Sequence, residues 1–266
     1  MIKRIITRPP VVSVIRLHGT IGPSGRLGGQ SLNDNQLEDI IERAFAKGRP
    51  KAVALSINSP GGSPVQSSLI AARIRRLAEE NEIPVYAFCE DVAASGGYWL
   101  ATAADEIYVD DSSILGSIGV ISAGFGFPEL LQRQGIERRV HTAGEDKSLL
   151  DPFRPERSQD VERLKHLQKI IHDSFIAQVK GRRGERLPDE DLFTGEIWVG
   201  QEAVGKGLAD GIAHLVPKMK DIYGDNVVLK VHGPKKSFFS RFGVRSAAEG
   251  VIGSVEETLH WARYGL

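Results

Sequence analysis

The sequence predicts an α/β fold with parallel strand pairing, and three observations carry that prediction. Apolar runs of strand length recur at Val11 to Leu17, Ala52 to Ile57 and Pro84 to Cys89. Two of these runs pass in succession through a small, glycine-bearing turn into a stretch of helical spacing, which is the pattern of strand-turn-helix units in a parallel sheet. A later stretch repeats apolar residues every three or four positions over several turns. With 266 residues, the chain can bury a core without disulfide staples. Hydrophobic residues at 41% and charged residues at 26%, with 34 basic side chains against 34 acidic, suit an ordinary globular protein and give no reason to expect nucleic acid.

In chain order, Met1 to Pro10 carries Lys3, Arg4 and Arg8 and two prolines, and the apolar run after it is interrupted by Ser13 and Arg16. A spanning helix needs about 20 apolar residues, so neither a membrane span nor a secretory signal is read here. The expected location is cytoplasmic or peripheral to a membrane. Gly19 to Ser31 reads as a loop, and Asp34 to Ala46 as a helix with Leu37, Ile40, Ile41 and Ala44 on one face. After the second strand, Ser63 is placed as an N-cap and Pro64 as the first helical residue, with Val65, Leu69, Ala72 and Leu77 at helical spacing. Pro84 to Cys89 then reads as a strand, Glu90 to Ala94 as a turn, Ser95 to Ala104 as a short helix and Ile107 to Val109 as a further strand.

After Gly116 to Ile121 a loop is expected, then a helix near Pro128 to Gln134 and a strand around Ile136 to Thr142. Val161, Leu164, Leu167, Ile170, Ile171, Phe175 and Val179 predict one long amphipathic helix that Gly181 and Gly184 end. Ile197 to Asp210 reads as a small helical unit closing the fold. The composition shifts at Gly233, so the expected division is a domain over 1–232 and a basic, aromatic tail over 233–266. The single cysteine, Cys89, has no partner for a disulfide and sits in an apolar run, where a buried, inert thiol is expected.

Two turns leave strands and open helices, exposing backbone N–H groups at the positive end of a helix dipole. They are Ser59-Pro60-Gly61-Gly62-Ser63 and Ala93-Ala94-Ser95-Gly96-Gly97-Tyr98. One amide from each suits a carbonyl oxygen gaining charge, and Ser95 is presented as a nucleophile would be. Taken singly, each turn is equally a plain strand-to-helix connection with Ser95 as a cap. Lys147 is equally a solvated surface charge, with Glu145 and Asp146 before it. A lysine, at about 10.4 in water, accepts a proton at neutral pH only where burial and hydrogen bonding favour the neutral amine. Leu149, Leu150 and Phe153 are apolar neighbours in sequence. The seven histidines are scattered, and no motif fixes one between a serine and a carboxylate.

Five motifs in order, Ser59-Pro60-Gly61-Gly62, Ala94-Ser95-Gly96-Gly97-Tyr98, Gly116-Ser117-Ile118-Gly119-Val120, Gly144 through Lys147 and Asp151-Pro152-Phe153-Arg154-Pro155, resemble those of the signal peptide peptidase A family of Ser/Lys-dyad serine peptidases. Phe193 to Trp198 and Gly207 to Gly211 are similar to that family's closing segment, and the resemblance runs from about Val11 to Ala213. It implies a ClpP/crotonase-like spiral of strand-strand-helix units. It also implies Ser95 as nucleophile, Lys147 as base, the Gly62 and Gly96 amides as oxyanion hole and Ser117 as hydrogen-bond partner of the lysine. No cofactor or metal is implied.

The implied substrates are extended apolar peptides, such as released signal peptides or membrane-protein fragments, adding as a strand beside Gly119, Val120 and Ile121. The family forms ring-like homo-oligomers, so an oligomer is expected. Two departures from the family are expected: its usual N-terminal membrane segment is not read in these residues, and the composition suits the short form with a single core. A crotonase-like acyl-CoA enzyme shares the two-amide hole but needs carboxylates facing it, and a silent peptide-binding scaffold would not need both dyad residues. The tail from 235 to 261 is a candidate for peripheral membrane contact or for packing against a neighbouring subunit or the body of the protein.

Overall fold

The apolar runs become strands of one eight-stranded sheet in a computed structural model that describes residues 9–22, 31–46, 48–144, 147–233 and 261–264. Glu145, Asp146 and nearly all of the tail from 235 to 261 lie outside the described residues. The chain divides into two compact units, Gly119–Phe175 and the rest.

The larger unit holds β1 (Val11–His18), α1 (Asp34–Ala46), β2 (Ala52–Ser59), α2 (Pro64–Asn81), β3 (Val85–Ala94), α3 (Gly96–Ala101), β4 (Glu106–Val109) and β5 (Ile114–Gly116). The smaller unit contributes α4 (Pro128–Arg133) and the start of α5 (Ser158–Arg183). Next come β6 (Ile197–Val199), α6 (Gly200–Gly205), β7 (Gly211–Ile212), α7 (Leu215–Tyr223) and β8 (Val228–His232). The sheet runs β6-β5-β3-β2-β1-β8, with β4 also on β3 and β7 on β4. All pairs are parallel except β5 with β6.

Parallel strands covered on both faces read as unbroken apolar runs, and β2 is buried along nearly its whole length for that reason. On one face Val12, Val14, Ala52, Ala54, Tyr86, Phe88 and Tyr108 pack with Met219 of α7. The alternate residues Ile15, Leu17, Leu55 and Ile57 are fully buried toward the other face, where α1 meets β1 and α3 meets β2 and β3. Each such side chain contributes about 1.5–3 kcal/mol by leaving water.

The long strand β3 serves two partners in turn. Tyr86 to Cys89 pair with β4, and Val92 to Ala94 pair with β5. The segment expected as a turn at Glu90 to Ala94 is therefore strand, since only Glu90 and Asp91 leave the ladder, with exposed side chains.

The remaining differences from the sequence reading have simple causes. The stripe of α2 that faces inward is Ser67, Ile70, Ala71, Ile74 and Ala78, while Val65 and Leu69 point to solvent. A run rich in alanine and serine supports more than one stripe at helical spacing, and the smaller residues allow the closer approach. Ile136 to Thr142 forms no strand, because no described strand of its unit offers a ladder, and Ile136 and Val140 are exposed. Gly181 lies inside α5 rather than at its end, and Gly184 opens a short 3-10 turn. Ile197 to Asp210 opens with β6 before its helix.

The smaller unit has a different physical character. Of the stripe in α5, Leu167, Ile170 and Ile171 are exposed and only Phe175 of this unit is buried. Polar knots organise it instead. Asp160, buried, accepts both Arg157 nitrogens and the Leu150 N–H. Asp151 pairs with Arg138, whose guanidinium lies 4.9 Å over the Phe153 ring, and Phe153 in turn meets Phe127 at 5.9 Å.

In the larger unit Arg183, buried, forms a two-pronged pair with Asp210 at 2.8 and 3.0 Å and donates to Gly207 O at 2.8 Å. Asp210 also accepts the Ile107 N–H at 2.7 Å, and Tyr98 of α3 donates to Leu208 O at 2.9 Å. Arg183→Met keeps the aliphatic volume and strands the carboxylate, so it is expected to lower unfolding stability by about 3 kcal/mol. Urea denaturation followed by circular dichroism measures this, and an unchanged midpoint would show that the pair is not a structural tie.

Candidate active site

Ser95 stands between β3 and α3 with φ 52° and ψ −122°, a conformation that a non-glycine residue holds only where its surroundings over-determine it. The surroundings are visible: its N–H donates to Gly116 O of β5 at 2.8 Å, and its carbonyl takes the Trp99 N–H at 3.0 Å. Its side chain makes no capping bond and no hydrogen bond to any described residue of the same unit. The plain alternative, Ser95 as an N-cap, is therefore not the arrangement found. The hydroxyl is half-buried and free for another task.

The second turn meets the first backbone to backbone. Ser59 Oγ accepts the Gly61 N–H at 3.2 Å, and Ile21 bridges the turn, donating to Gly61 O at 2.8 Å and accepting from Ser63 N–H at 2.7 Å. Gly62 has φ +142°, and a methyl group on it would fall 1.9 Å from Ile21 O. A methyl on Gly96 would lie 2.4 Å from Ser67 Oγ and 3.3 Å from the Gly62 nitrogen. The two amides predicted as an oxyanion hole are thus brought together beside Ser95.

Neither the Gly62 nor the Gly96 N–H has an acceptor among the described residues. Backbone donors without partners are rare, and here two of them converge, Gly96 buried and Gly62 half-buried. The eighteen-residue helix α2 starts just after, capped by Ser63 Oγ on the Gln66 N–H with Pro64 in its first turn, so its positive end adds to the same region.

Ser117 lies one residue beyond the Ala94/Gly116 pair, as Ser95 does, which makes the two serines neighbours at the exits of β3 and β5. It too has positive φ, and its N–H donates to Glu196 O at 2.6 Å. The remaining predicted residues belong to the smaller unit. There Gly119 and Val120 are half-buried in a loop that bends at Gly119, and Ile121 is exposed. Lys147 is exposed and pairs with no described carboxylate of its unit. Its loop is fixed by Arg154 donating to Ser148 O at 2.6 Å and by the Leu150 N–H on Asp160 at 3.3 Å.

Other titratable groups of the larger unit are occupied elsewhere. His18 bonds Ser56 at 2.7 Å, His232 bonds Ser13 at 3.1 Å and His214 bonds Asp110 at 2.8 Å. Burial, with Glu90 adding to it, pushes the Cys89 thiol up to about 12, so this buried cysteine is a packing residue. The sequence reading missed Ile21, hidden in a stretch whose composition reads as loop. It also missed Asn58, near the end of β2, and Asp91, inside β3, which read as ordinary polar residues in the sequence.

The family model for peptidase family S49 matches residues 78–220. The chain is 47% identical over 287 aligned positions to a Brucella melitensis protein named Na(+)/H(+) antiporter NhaA, covering all of this chain and 39% of that protein. It is 31% identical over 180 positions to the putative signal peptide peptidase SppA of Enterococcus faecium, covering 67% of this chain and 51% of that one. The chain therefore spans about half or less of these curated relatives. A lysine-to-alanine mutant of the 1510-N membrane-bound stomatin-specific protease, solved with a substrate peptide, shares the fold at a TM-score of 0.53 and 15% identity, covering 94% of this chain and 99% of its own.

The contact of the Gly62 turn with Ile21 generates a stability prediction. Gly62→Ala combines a disfavoured φ with a backbone clash and is expected to cost about 2 kcal/mol or more. Gly181→Ala, in open space within α5, is expected to gain about 0.5–1 kcal/mol instead. Thermal melts of the two variants separate them, and a Gly62→Ala protein as stable as the parent would show that the turn does not need its glycine.

Proposed function

The chain belongs to peptidase family S49, and on that premise we propose that it is a serine endopeptidase of the signal peptide peptidase A kind in which Ser95 attacks and Lys147 is the general base. The observation that carries the proposal is Ser95 itself: a strained serine whose hydroxyl serves no cap, beside two converging amides that lack acceptors. Attack by Oγ on a peptide carbonyl forms a tetrahedral intermediate whose oxyanion the Gly62 and Gly96 N–H groups receive. One such donor is worth about 3 kcal/mol in other enzymes.

In this proposal the Lys147 amine takes the hydroxyl proton and hands it to the leaving amine, and water then releases the acyl group. Ser117 holds the amine in place. A lysine acts as a base only as the neutral amine, which exclusion of water favours. Substrate or a second copy of the chain supplies that cover. A homo-oligomer is supported by the exposed apolar side chains of the smaller unit, among them Ile121, Phe125, Ile136 and Ile170.

The proposed substrates are extended apolar peptides, including released signal peptides and membrane-protein fragments, paired as a strand along Gly119 to Ile121. The proposed location is the cytoplasm or a membrane surface. Ion transport is not carried over from the antiporter relative, because this chain covers 39% of it and no helix among the described residues is long and apolar enough to cross a membrane.

Ser95→Ala and Lys147→Ala are each expected to abolish hydrolysis of an apolar fluorogenic peptide without lowering the melting temperature, since neither side chain packs in the core. Lys147→Arg should be equally dead, because a guanidinium does not give up its proton at working pH. Near-parental turnover by Lys147→Ala would overturn the dyad.

A further inference from the structure

β2 and β3 keep register from Val53 with Val85 to Ile57 with Cys89, and the next pair is Ser59 with Ala93. Asn58 alone therefore faces Glu90, Asp91 and Val92. Such a bulge leaves backbone groups outside the ladder and bends the strand that carries it, a device common next to active sites.

Side chains take over the missing bonds. Asn58 Nδ2 donates to Asp91 Oδ2 at 2.5 Å, and Asn58 Oδ1 accepts the Val92 N–H at 3.2 Å. The Asn58 carbonyl accepts the Gly19 N–H at 2.9 Å. Glu90, the other bulged acid, accepts from Ser56 Oγ at 2.6 Å. Since the hydroxyl's one proton goes to Glu90, His18 Nε2 must donate its own to Ser56 Oγ, at 2.7 Å.

Each of the three strands tied in this way runs straight into a segment that builds the site. His18 precedes Gly19 to Ile21, which bridges the Gly62 turn. Asn58 precedes Ser59 to Gly62, and Val92 precedes Ala93 to Gly96. The core does not need these groups, because Ile57, Val92 and Ala93 are fully buried around an Asn58 that is half-buried and an Asp91 that is exposed.

We propose that Asn58 and Asp91 are positioning residues: their amide-carboxylate clasp closes the β3 bulge and so sets how β3 delivers Ser95 against the Gly62 and Gly96 amides. The inference rests on the proposed role of Ser95 as nucleophile. A misplacement of about 1 Å can cost roughly 100-fold in rate, so a clasp that adds little to stability has large leverage on turnover.

The test exchanges the two groups in the full chain, using a fluorogenic peptide with alanine or leucine before the scissile bond. In Asn58→Asp two carboxylates face each other, and kcat should fall about 10- to 100-fold with KM nearly unchanged. The double variant Asn58→Asp with Asp91→Asn restores donor against acceptor and keeps an acceptor for the Val92 N–H, so kcat should recover to within a few-fold of the parent. The rate of Ser95 modification by a fluorophosphonate should fall and recover in parallel, with melting temperatures close to the parent throughout. If Asn58→Asp does not fold, Asp91→Ser at its exposed position should show the same loss in kcat.

Parental kcat in the single variants, or no recovery in the double one, overturns the positioning role while leaving the proposed function intact. Hydrolysis that survives Ser95→Ala overturns both.

Discussion

The structure depends on a close approach of two backbones. The turn leaving β2 and the turn leaving β3 come together so tightly that no side chain fits between them at Gly61 or Gly97. This approach leaves the buried Gly96 N–H without an acceptor among the described residues and bends Ser95 into positive φ, and each of these costs roughly 1–3 kcal/mol. A small protein core would not carry such a cluster of costs in one place. Here β1, β2 and β3 are buried on both faces, with side chains such as Ile15, Leu55 and Ile57 fully out of water, and the sheet offsets the strain at its edge.

The sheet also explains why the strained turn is rigid. A strand that ended at Cys89 with β4 would release its following loop into solvent. Instead β3 passes through its bulge and gains β5 as a second partner, so Ser95 is held by Gly116 of a strand that lies beyond the first pairing. Beneath α3, Tyr98 reaches Leu208 O, and the Arg183–Asp210 pair fixes that segment in turn. The segments similar to a peptidase closing sequence are thus structural supports of the Ser95 turn.

Much of this was legible in the residues. Ser63-Pro64 marked the start of α2, and the α1 bounds Asp34–Ala46 agree with the apolar spacing, because capping and periodicity are local properties. What was not legible is tertiary. Glu90 and Asp91 look like a turn because local polarity cannot reveal a bulge whose ladder resumes with β5, twenty residues along the chain. The inner stripe of α2 went to small residues, a choice made by the neighbouring helices rather than by hydrophobicity. The short strands β5, β7 and β8 have too little sequence to show a period. At the site, glycines and Ser95 were visible as motifs, whereas the bridge from Ile21 and the clasp at Asn58 exist only through long-range pairing.

The two units divide the proposed chemistry unequally. The nucleophile and both amides belong to the unit with the deep core, where distances are fixed by packing. Lys147 belongs to the unit whose buried residues are almost confined to Asp160 and Phe175, and whose order comes from ion pairs and a chain of rings at Phe125, Phe127 and Phe153. A unit with so few buried apolar contacts opens locally at lower cost than the deep core does. In the proposed Ser/Lys peptidase the serine turn has one stable geometry, and the step that depends on conditions is desolvation of the base. With the proposed homo-oligomer, covering the exposed apolar residues of Gly119–Phe175 would exclude water from this segment, so association and activation of the base would be one event rather than two.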